Sequence, residues 1–446
     1  MNAPNTTPSQ PALNRRDFLK TTSAAIAGTS VLGGLSVERS AFAAGSDTLK
    51  LALIGCGGRG SGAADQALST EGPLKLVAMA DTFKDRLESS LSSLAAKHKD
   101  KVDVAPERQF IGFEAYKQAI ALADVVILAT PPGFRPMQFE EAVRQGKNIF
   151  TEKPVATDAP GVRRFLTAAE ESKKKNLKVV VGLQRHYDEG YLETIQRLHD
   201  GAIGDIVAMR AYWNGQTPWL KRRAELDQHY GRKLTEMEYQ MRNWYYFTWI
   251  CGDHIVEQHI HNLDVINWVK QGHPVRAQGM GGCEVRKGLD YGEIFDHHAV
   301  EFEYQDGSRL FSFCRHIQGC WDSVSEHVVG TKGTCDVSGH IIRGATPWRF
   351  RKREVRDAYQ KEHDALFDAI RNNKQLNNAE YGANSTMTAI LGRLCTYSGK
   401  MIEWDDALNS NINLMPEKLA WDANPKVMPD ENGLYKLPVP GRTVCV

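Results

Sequence analysis

A short apolar run, Leu49–Ile54, passes directly into Gly55-Cys56-Gly57-Gly58-Arg59-Gly60 and then into the small and amphipathic residues Ala63–Leu68. Strand, glycine turn and helix together are the setting in which G-x-G-x-x-G has a physical meaning. Gly55 permits the tight turn. Gly57 has no Cβ, so a pyrophosphate can approach the backbone. Gly60 lets the helix pack close to the strand. Gly58 and Arg59 lie where the helix N-terminus presents unpaired N–H groups and a positive dipole end to phosphates. A second apolar run, Leu74–Ala80, ends in Asp81, at the spacing where such a pocket places its ribose-binding acid. A carboxylate there accepts from the ribose hydroxyls and repels a 2′-phosphate, so NAD is expected over NADP. Lys84 and Arg86 leave NADP some room.

The pattern continues. Asp124–Ala129, Asn148–Thr151 and Lys178–Leu183 read as buried strands, separated by helical stretches at Phe134–Gln145 and Ala159–Lys174. Strands alternating with helices imply a doubly wound parallel sheet, whose ligands sit at the carboxyl ends of the strands. Thr130-Pro131-Pro132, Glu152-Lys153-Pro154 and Gln184-Arg185 all fall at such ends. The texture changes from about Ile203. Asp205–Trp213, Val275–Val285, His298–Tyr304, Arg309–Arg315 and Glu326–Val337 read as longer strands in a mostly antiparallel sheet. Helices follow at Asp357–Asn372 and Gly382–Lys400.

A chain of 446 residues with a net charge of +1 suits two domains and gives no sign of a nucleic-acid partner or a stable membrane anchor. Asn14-Arg15-Arg16-Asp17-Phe18-Leu19-Lys20, an apolar stretch Ala24–Leu35 and Ala41-Phe42-Ala43 read as a twin-arginine leader over residues 1–43 with its cleavage site. The expected location is periplasmic or otherwise exported, with the twin-arginine machinery as a partner. Residues 44–185 are expected to form the nucleotide domain. Residues 186–400 form a substrate and oligomerisation domain whose last helices return to the first, and 401–446 an irregular wrap. The eight cysteines are scattered with no C-x-x-C, so no zinc site is indicated. A protein folded before export needs no disulfides.

Cys251–Lys270 carries the second informative pattern. At helical spacing His254, Glu257, Gln258, His261 and Asp264 share a face, and Ile255, His259, Leu263 and Ile266 lie opposite as core. Imidazoles beside carboxylates suit proton transfer. A metal is the alternative use of His-x-x-Glu-x-x-x-His, but no further cluster supports it and none is expected. Lys153, at a strand end, is placed to hold a substrate oxygen. An aromatic segment holding Trp213, Trp219, Tyr239, Trp244, Tyr245, Tyr246, Phe247 and Trp249, with Arg242 and Asn243 among them, suits sugar faces. Arg185, Tyr187, Trp244, Trp249 and Asp264 are the substrate candidates. Asp296-His297-His298 and Arg315-His316 are weaker candidates for the same cleft.

With these residues in place the sequence resembles the Gfo/Idh/MocA oxidoreductases, and within them the twin-arginine-exported bacterial branch. The resemblance rests on Gly55–Gly60 with Asp81, on Glu152-Lys153-Pro154 and on the helix carrying His261. It implies an α/β fold: an N-terminal Rossmann doubly wound parallel sheet plus a C-terminal α/β domain with a large open, mostly antiparallel sheet through which copies associate. It implies cofactor contacts from Gly55, Gly57, Gly58, Arg59, Gly60, Asp81, Thr130, Pro131, Pro132, Glu152, Lys153 and Gln184. Lys153 would lie at the nicotinamide, and His261 would be the acid/base. The family's D-x-x-x-H-x-x-D is matched at His261 and Asp264, but Glu257 stands at the first acid. The expected function is hydride transfer from a sugar, sugar derivative or glycoside to a tightly bound NAD. The alternatives are redox-neutral glycoside cleavage (oxidation, elimination, hydration, reduction) and a non-catalytic sugar- or cofactor-binding protein.

Overall fold

Uninterrupted aliphatic runs place side chains on both faces of a strand, so such strands must be covered on both sides. Strands of this kind build the centre of a six-stranded parallel sheet: β1 (Leu49–Ile54), β2 (Leu74–Asp81), β3 (Gln109–Ile111), β4 (Val125–Leu128), β5 (Asn148–Thr151) and β6 (Val179–Val181), in the order β3-β2-β1-β4-β5-β6. The computed structural model describes residues 48–351 and 357–446. The leader read over residues 1–43 lies outside them. On one face of the sheet Leu51 and Leu53 pack with Ala63, Ala67, Leu87 and Leu94. On the other, Ala52 and Ile54 pack with Ala119, Phe139 and Val162, and Phe139 stacks on Phe165 at 3.9 Å. The first face also takes Leu366, Phe367 and Ile370 from the late helix Ala358–Arg371.

The second sheet has nine strands in the order β14-β13-β12-β11-β7-β10-β9-β8-β15. They are β7 (Ile206–Gly215), β8 (Arg276–Gly282), β9 (His297–Glu303), β10 (Arg309–His316), β11 (Ser323–Gly330), β12 (Gly333–Asp336), β13 (Ile341–Gly344), β14 (Trp348–Arg349) and β15 (Ile402–Glu403). Neighbours run antiparallel except β7 and β10, which pair in parallel. Three boundaries differ from the sequence expectation. The single strand expected over Glu326–Val337 is a hairpin, because the chain turns between Gly330 and Gly333, and Gly330 sits where a Cβ would strike the Ile203 carbonyl oxygen. Residues 401–446 are not wholly irregular: Ile402 and Glu403 pair with β8, and Trp404–Asn409 is a helix. Helices Glu189–His199, Arg223–Tyr230 and Glu236–Arg242 occupy the stretch before the second sheet and between its first two strands.

Alternation along β10 puts Leu310, Ser312, Cys314 and His316 inward and leaves Phe311 and Phe313 exposed. The inner face is covered by Ile260–Lys270 and the long helix Ala379–Ser398. The outer face carries Phe313 stacked on Tyr212, Trp321 edge-on to Tyr212, and the exposed Met280. No helix among the described residues is long and apolar enough to cross a membrane.

Candidate active site

The carboxyl ends of β1, β2, β4, β5 and β6 open into a cleft of about 630 Å³. Its floor is the glycine turn. Gly55 has φ +93°, and a Cβ there would sit 2.5 Å from the Thr130 nitrogen. A Cβ on Gly60 would meet the Gly55 carbonyl oxygen at 1.9 Å. These two glycines are therefore required by the fold itself. Gly57 and Gly58 differ: a Cβ on either would meet nothing within 4 Å. They border open cleft, as a backbone cradle for a pyrophosphate must. Asp81 closes this end. Its carboxylate accepts from the Cys56 amide at 2.7 Å and the Phe83 amide at 2.8 Å. Burial pushes its pKa up, while those two donors hold it down. Thr130 and Pro131 line the cleft, and Thr130 donates to Gln138 at 2.6 Å. Pro132 is buried in the turn behind them and does not line it.

Arg59 turns across the floor, ion-paired to Glu152 and 4.9 Å from the Tyr359 ring centroid. Glu362 stands 3.5 Å from the Arg59 guanidinium, and burial lifts its pKa well above the usual carboxylate range. Tyr359 and Glu362 come from the late helix, some 300 residues downstream in the sequence, where no local motif marks them. Gln184 lies one residue removed from the cleft and donates to the Tyr359 hydroxyl at 3.2 Å.

Lys153, Glu257 and His261 meet at the opposite end. The Lys153 ammonium donates to the Glu257 backbone carbonyl at 2.6 Å and to its carboxylate at 3.2 Å. The stretch carrying Glu257 and His261 is not one helix. It breaks between His254–Glu257 and Ile260–Lys270, and the His259 amide reaches back five residues to His254. The break corrects the expected shared face. Glu257 and His261 look into the cleft. Gln258 instead bonds His316, and His254 lies beneath the second sheet with Asp253 and His298. Asp264 accepts from Ser385 and pairs with His186, away from the cleft. Burial, then the charges of Lys153, Arg185 and Arg59, hold the His261 pKa well below 6.5. The imidazole is neutral at neutral pH. Its Nδ1 is buried without a partner, which leaves Nε2 toward the cleft.

Other expected contacts are placed elsewhere. Trp249 is fully buried and donates its indole N–H to Gln240 at 2.6 Å. Tyr187 donates to Asn378 at 2.8 Å. Arg185 is ion-paired to the buried Glu326. Asp296 and His316 sit with Arg286 under the second sheet, outside the cleft. Trp244 does line the cleft, joined by Trp219, Lys221, Met241 and Arg242 from the excursion after β7. Arg242 makes two bonds to Asp85, at 2.8 and 2.7 Å, and its guanidinium lies 3.6 Å from the Phe83 ring centroid. Trp421 of the C-terminal segment packs on Phe83 and Phe113, at 5.2 and 4.7 Å between centroids. Two separate parts of the chain thus pack on Phe83, two residues past Asp81.

A parallel sheet in this order, an open glycine cradle and an acid at the end of β2 define an NAD-dependent oxidoreductase acting on CH–OH groups. The comparisons agree. Residues 49–182 match the oxidoreductase family with NAD-binding Rossmann fold. The matched residues carry the NAD-binding domain of the Gfo/Idh/MocA oxidoreductases. It is 27% identical over 291 residues to an inositol 2-dehydrogenase of Cereibacter sphaeroides, covering 64% of this chain and 73% of that one. It is 31% identical over 173 residues to the inositol 2-dehydrogenase of Agrobacterium fabrum, covering 38% of this chain and 47% of that one. Among solved structures, the scyllo-inositol dehydrogenase of Lactobacillus casei with bound NAD(H) and scyllo-inositol shares the fold, with a TM-score of 0.59 and 19% identity over 80% of this chain and all of that one. The aldose-aldose oxidoreductase of Caulobacter crescentus complexed with glycerol gives 0.62 and 17%, over 80% and 99%.

Proposed function

We propose that this protein oxidises a ring or chain CH–OH of a carbohydrate, cyclitol or glycoside with an NAD that stays bound, and that a second, sugar-like carbonyl substrate then takes the hydride back and is reduced, which closes the cycle. The meeting of the cradle (Gly57, Gly58, Asp81) with Lys153, Glu257 and His261 in one cleft carries the reading. Gly57, Gly58 and Asp81 would hold NAD, which would supply the hydride acceptor for the substrate carbon. The chain's own groups manage the proton. Glu257 fixes the Lys153 ammonium beside the substrate oxygen, where it stabilises the negative charge that develops. The neutral His261 accepts the hydroxyl proton on Nε2. Aromatic rings at the mouth, Trp219 and Trp244, offer flat faces to the C–H patches of a sugar.

Cofactor retention is supported by the packing beside Asp81, where Arg242 pairs with Asp85 and stacks on Phe83 and Trp421 packs on the same ring. The leader read in the first 43 residues gives retention a purpose, since an exported enzyme has no pool of NAD to draw on. Association through the outer face of the second sheet is supported by its exposed Phe311, Phe313, Trp321 and Met280.

The test is the near-ultraviolet absorbance of the purified protein as sugars, inositols and glycosides are added without external cofactor. A reduced-nicotinamide band that rises and persists supports the dehydrogenase. Release of an aglycone with no lasting band replaces it with redox-neutral cleavage. Bound NAD that no member of the panel reduces, with no aglycone released, leaves a binding protein.

A further inference from the structure

Arg135 opens the helix Arg135–Arg144 and lines the cleft beside Lys153. It is 5% exposed. Its Nη1 donates to the Pro154 carbonyl oxygen, which ties it to the Glu152-Lys153-Pro154 turn. Its Nε is buried with no partner, and no carboxylate of the described residues lies within ion-pair distance. A buried guanidinium without a counter-ion is costly and uncommon. Burial lowers its pKa to about 10, so it still carries its charge at neutral pH.

Glu152 and Glu257 lie near enough to favour this charge, but neither bonds it. Glu152 is taken by Arg59 and Glu257 by Lys153. Among charged residues the cleft lining contains Arg59, Arg86, Arg135, Lys153, Lys221 and Arg242 against Asp81, Glu152 and Glu257 alone. A dinucleotide pyrophosphate belongs over Gly57 and Gly58, at the glycine turn. Arg135 stands instead at the Lys153 end, where the reacting carbon must lie. The positive end of the helix it begins adds to the same local field.

We propose that Arg135 is a substrate subsite for a carboxylate, so that the preferred substrate is an acidic carbohydrate, a uronic or aldonic acid or a glycoside of one, rather than a neutral sugar. The planar fork of an arginine matches a carboxylate in a way that the Lys153 ammonium does not. With the acid group held at Arg135 and a hydroxyl at Lys153 and His261, one substrate bridges the two. The proposal rests on the carbohydrate-oxidising reading above and narrows it.

The experiment compares matched pairs, galacturonate with galactose and gluconate with glucose, on the purified holoprotein. Binding is followed by quenching of tryptophan fluorescence and turnover by the reduced-nicotinamide band. Support is a dissociation constant at least tenfold lower for the acid member, lost in Arg135→Gln and partly kept in Arg135→Lys. Equal affinity within each pair in the wild type overturns the proposal without recourse to any variant. So does a loss of NAD from Arg135→Gln with the acid preference intact, which would give the arginine to the dinucleotide. The two readings separate cleanly. Reduction by neutral sugars with no acid preference leaves the oxidoreductase standing and removes the subsite. Preferential binding of the acids with no reduction by any compound leaves the subsite and removes the oxidation. Melting curves and NAD content of both variants report whether the fold has survived the loss of the bond to Pro154.

Discussion

The ammonium of Lys153 takes the hydrogen-bonding place that the backbone amide of His261 would hold in an unbroken helix. In a continuous helix the Glu257 carbonyl accepts from residue 261. Here the His261 amide turns to Gln258 at 3.2 Å, and the freed carbonyl receives Lys153 Nζ at 2.6 Å. The helix break therefore both seats the lysine and turns His261 toward it. Lys153→Gln is expected to lower hydride transfer by about two to four orders of magnitude, the usual range for a lost positioned acid–base group. Glu257→Gln keeps the carbonyl contact and is expected to cost roughly tenfold, since only the charge that steadies the ammonium is removed. Single-turnover reduction of the bound nicotinamide reads both. NAD content is expected to stay constant.

The four loop glycines are expected to separate into two classes. Gly57→Ala places a methyl in open cleft, so the protein folds with its melting temperature unchanged but is purified with little NAD. Gly60→Ala drives a Cβ into the Gly55 carbonyl oxygen and is expected to destabilise the fold by about 1–3 kcal/mol through overpacking. Calorimetry with and without added NAD distinguishes them.

The packing of Arg242 on Asp85 and Phe83, at the Asp81 end of the cleft, predicts slow cofactor exchange. The Arg242–Asp85 pair and the Arg242–Phe83 stack together are worth about 1–2 kcal/mol. Arg242→Ala is thus expected to speed NAD release roughly tenfold. Displacement of bound NAD by a labelled dinucleotide gives the rate. A wild-type protein that exchanges within seconds would contradict the retained-cofactor cycle.

Buried histidines set the response to acid. Burial lowers the pKa of His254 to about 4 and of His363 to about 3, and holds His259, His261 and His316 well below 6.5. The unfolded chain binds protons at these sites near pH 6.5 and the native chain does not. Stability is therefore full above pH 6.5 and is lost as pH falls from there toward 4. The slope approaches about 1.4 kcal/mol per pH unit for each such histidine. Denaturant midpoints at pH 7.5, 6 and 5 test this. The acidic limb of kcat/KM is likewise expected below the ordinary histidine value, because His261 stays neutral there.

The outer sheet face predicts association. Phe313→Asp with Trp321→Asp is expected to convert the assembly to single chains while leaving NAD bound. Light scattering of the double variant against the wild type measures the mass directly.

Much of the nucleotide half was legible because each signal there is local. Apolar runs such as Val125–Leu128 cannot be exposed, and glycines at fixed offsets fix a turn. Lys153 was legible because strand ends are ligand edges. The second half was less so. Spacing on an ideal wheel put His254 and Gln258 on one face with His261, and the break between Glu257 and Ile260 undid it, leaving a carbonyl free for a lysine about a hundred residues away. Composition could not tell Trp244, at the cleft, from Trp249, in the core: both sit in the same aromatic run, and only the partner Gln240 decides. Arg135 carried no signal, because a lone arginine at a helix start is ordinarily solvated. Tyr359 reaches the cleft only through the long return of the chain.

That return has a consequence for how the protein is made. Leu366, Phe367 and Ile370 complete the hydrophobic layer on Leu51 and Leu53, and Ile402 and Glu403 seal the edge of β8. The ribosome delivers these residues late. The core of the nucleotide half therefore closes only once the second sheet's long strands have been synthesised. A chain cut at residue 350 would lose one wall of the dinucleotide domain as well as its tail, and a separately expressed 44–185 fragment would expose the aliphatic surface that the late helix was meant to cover.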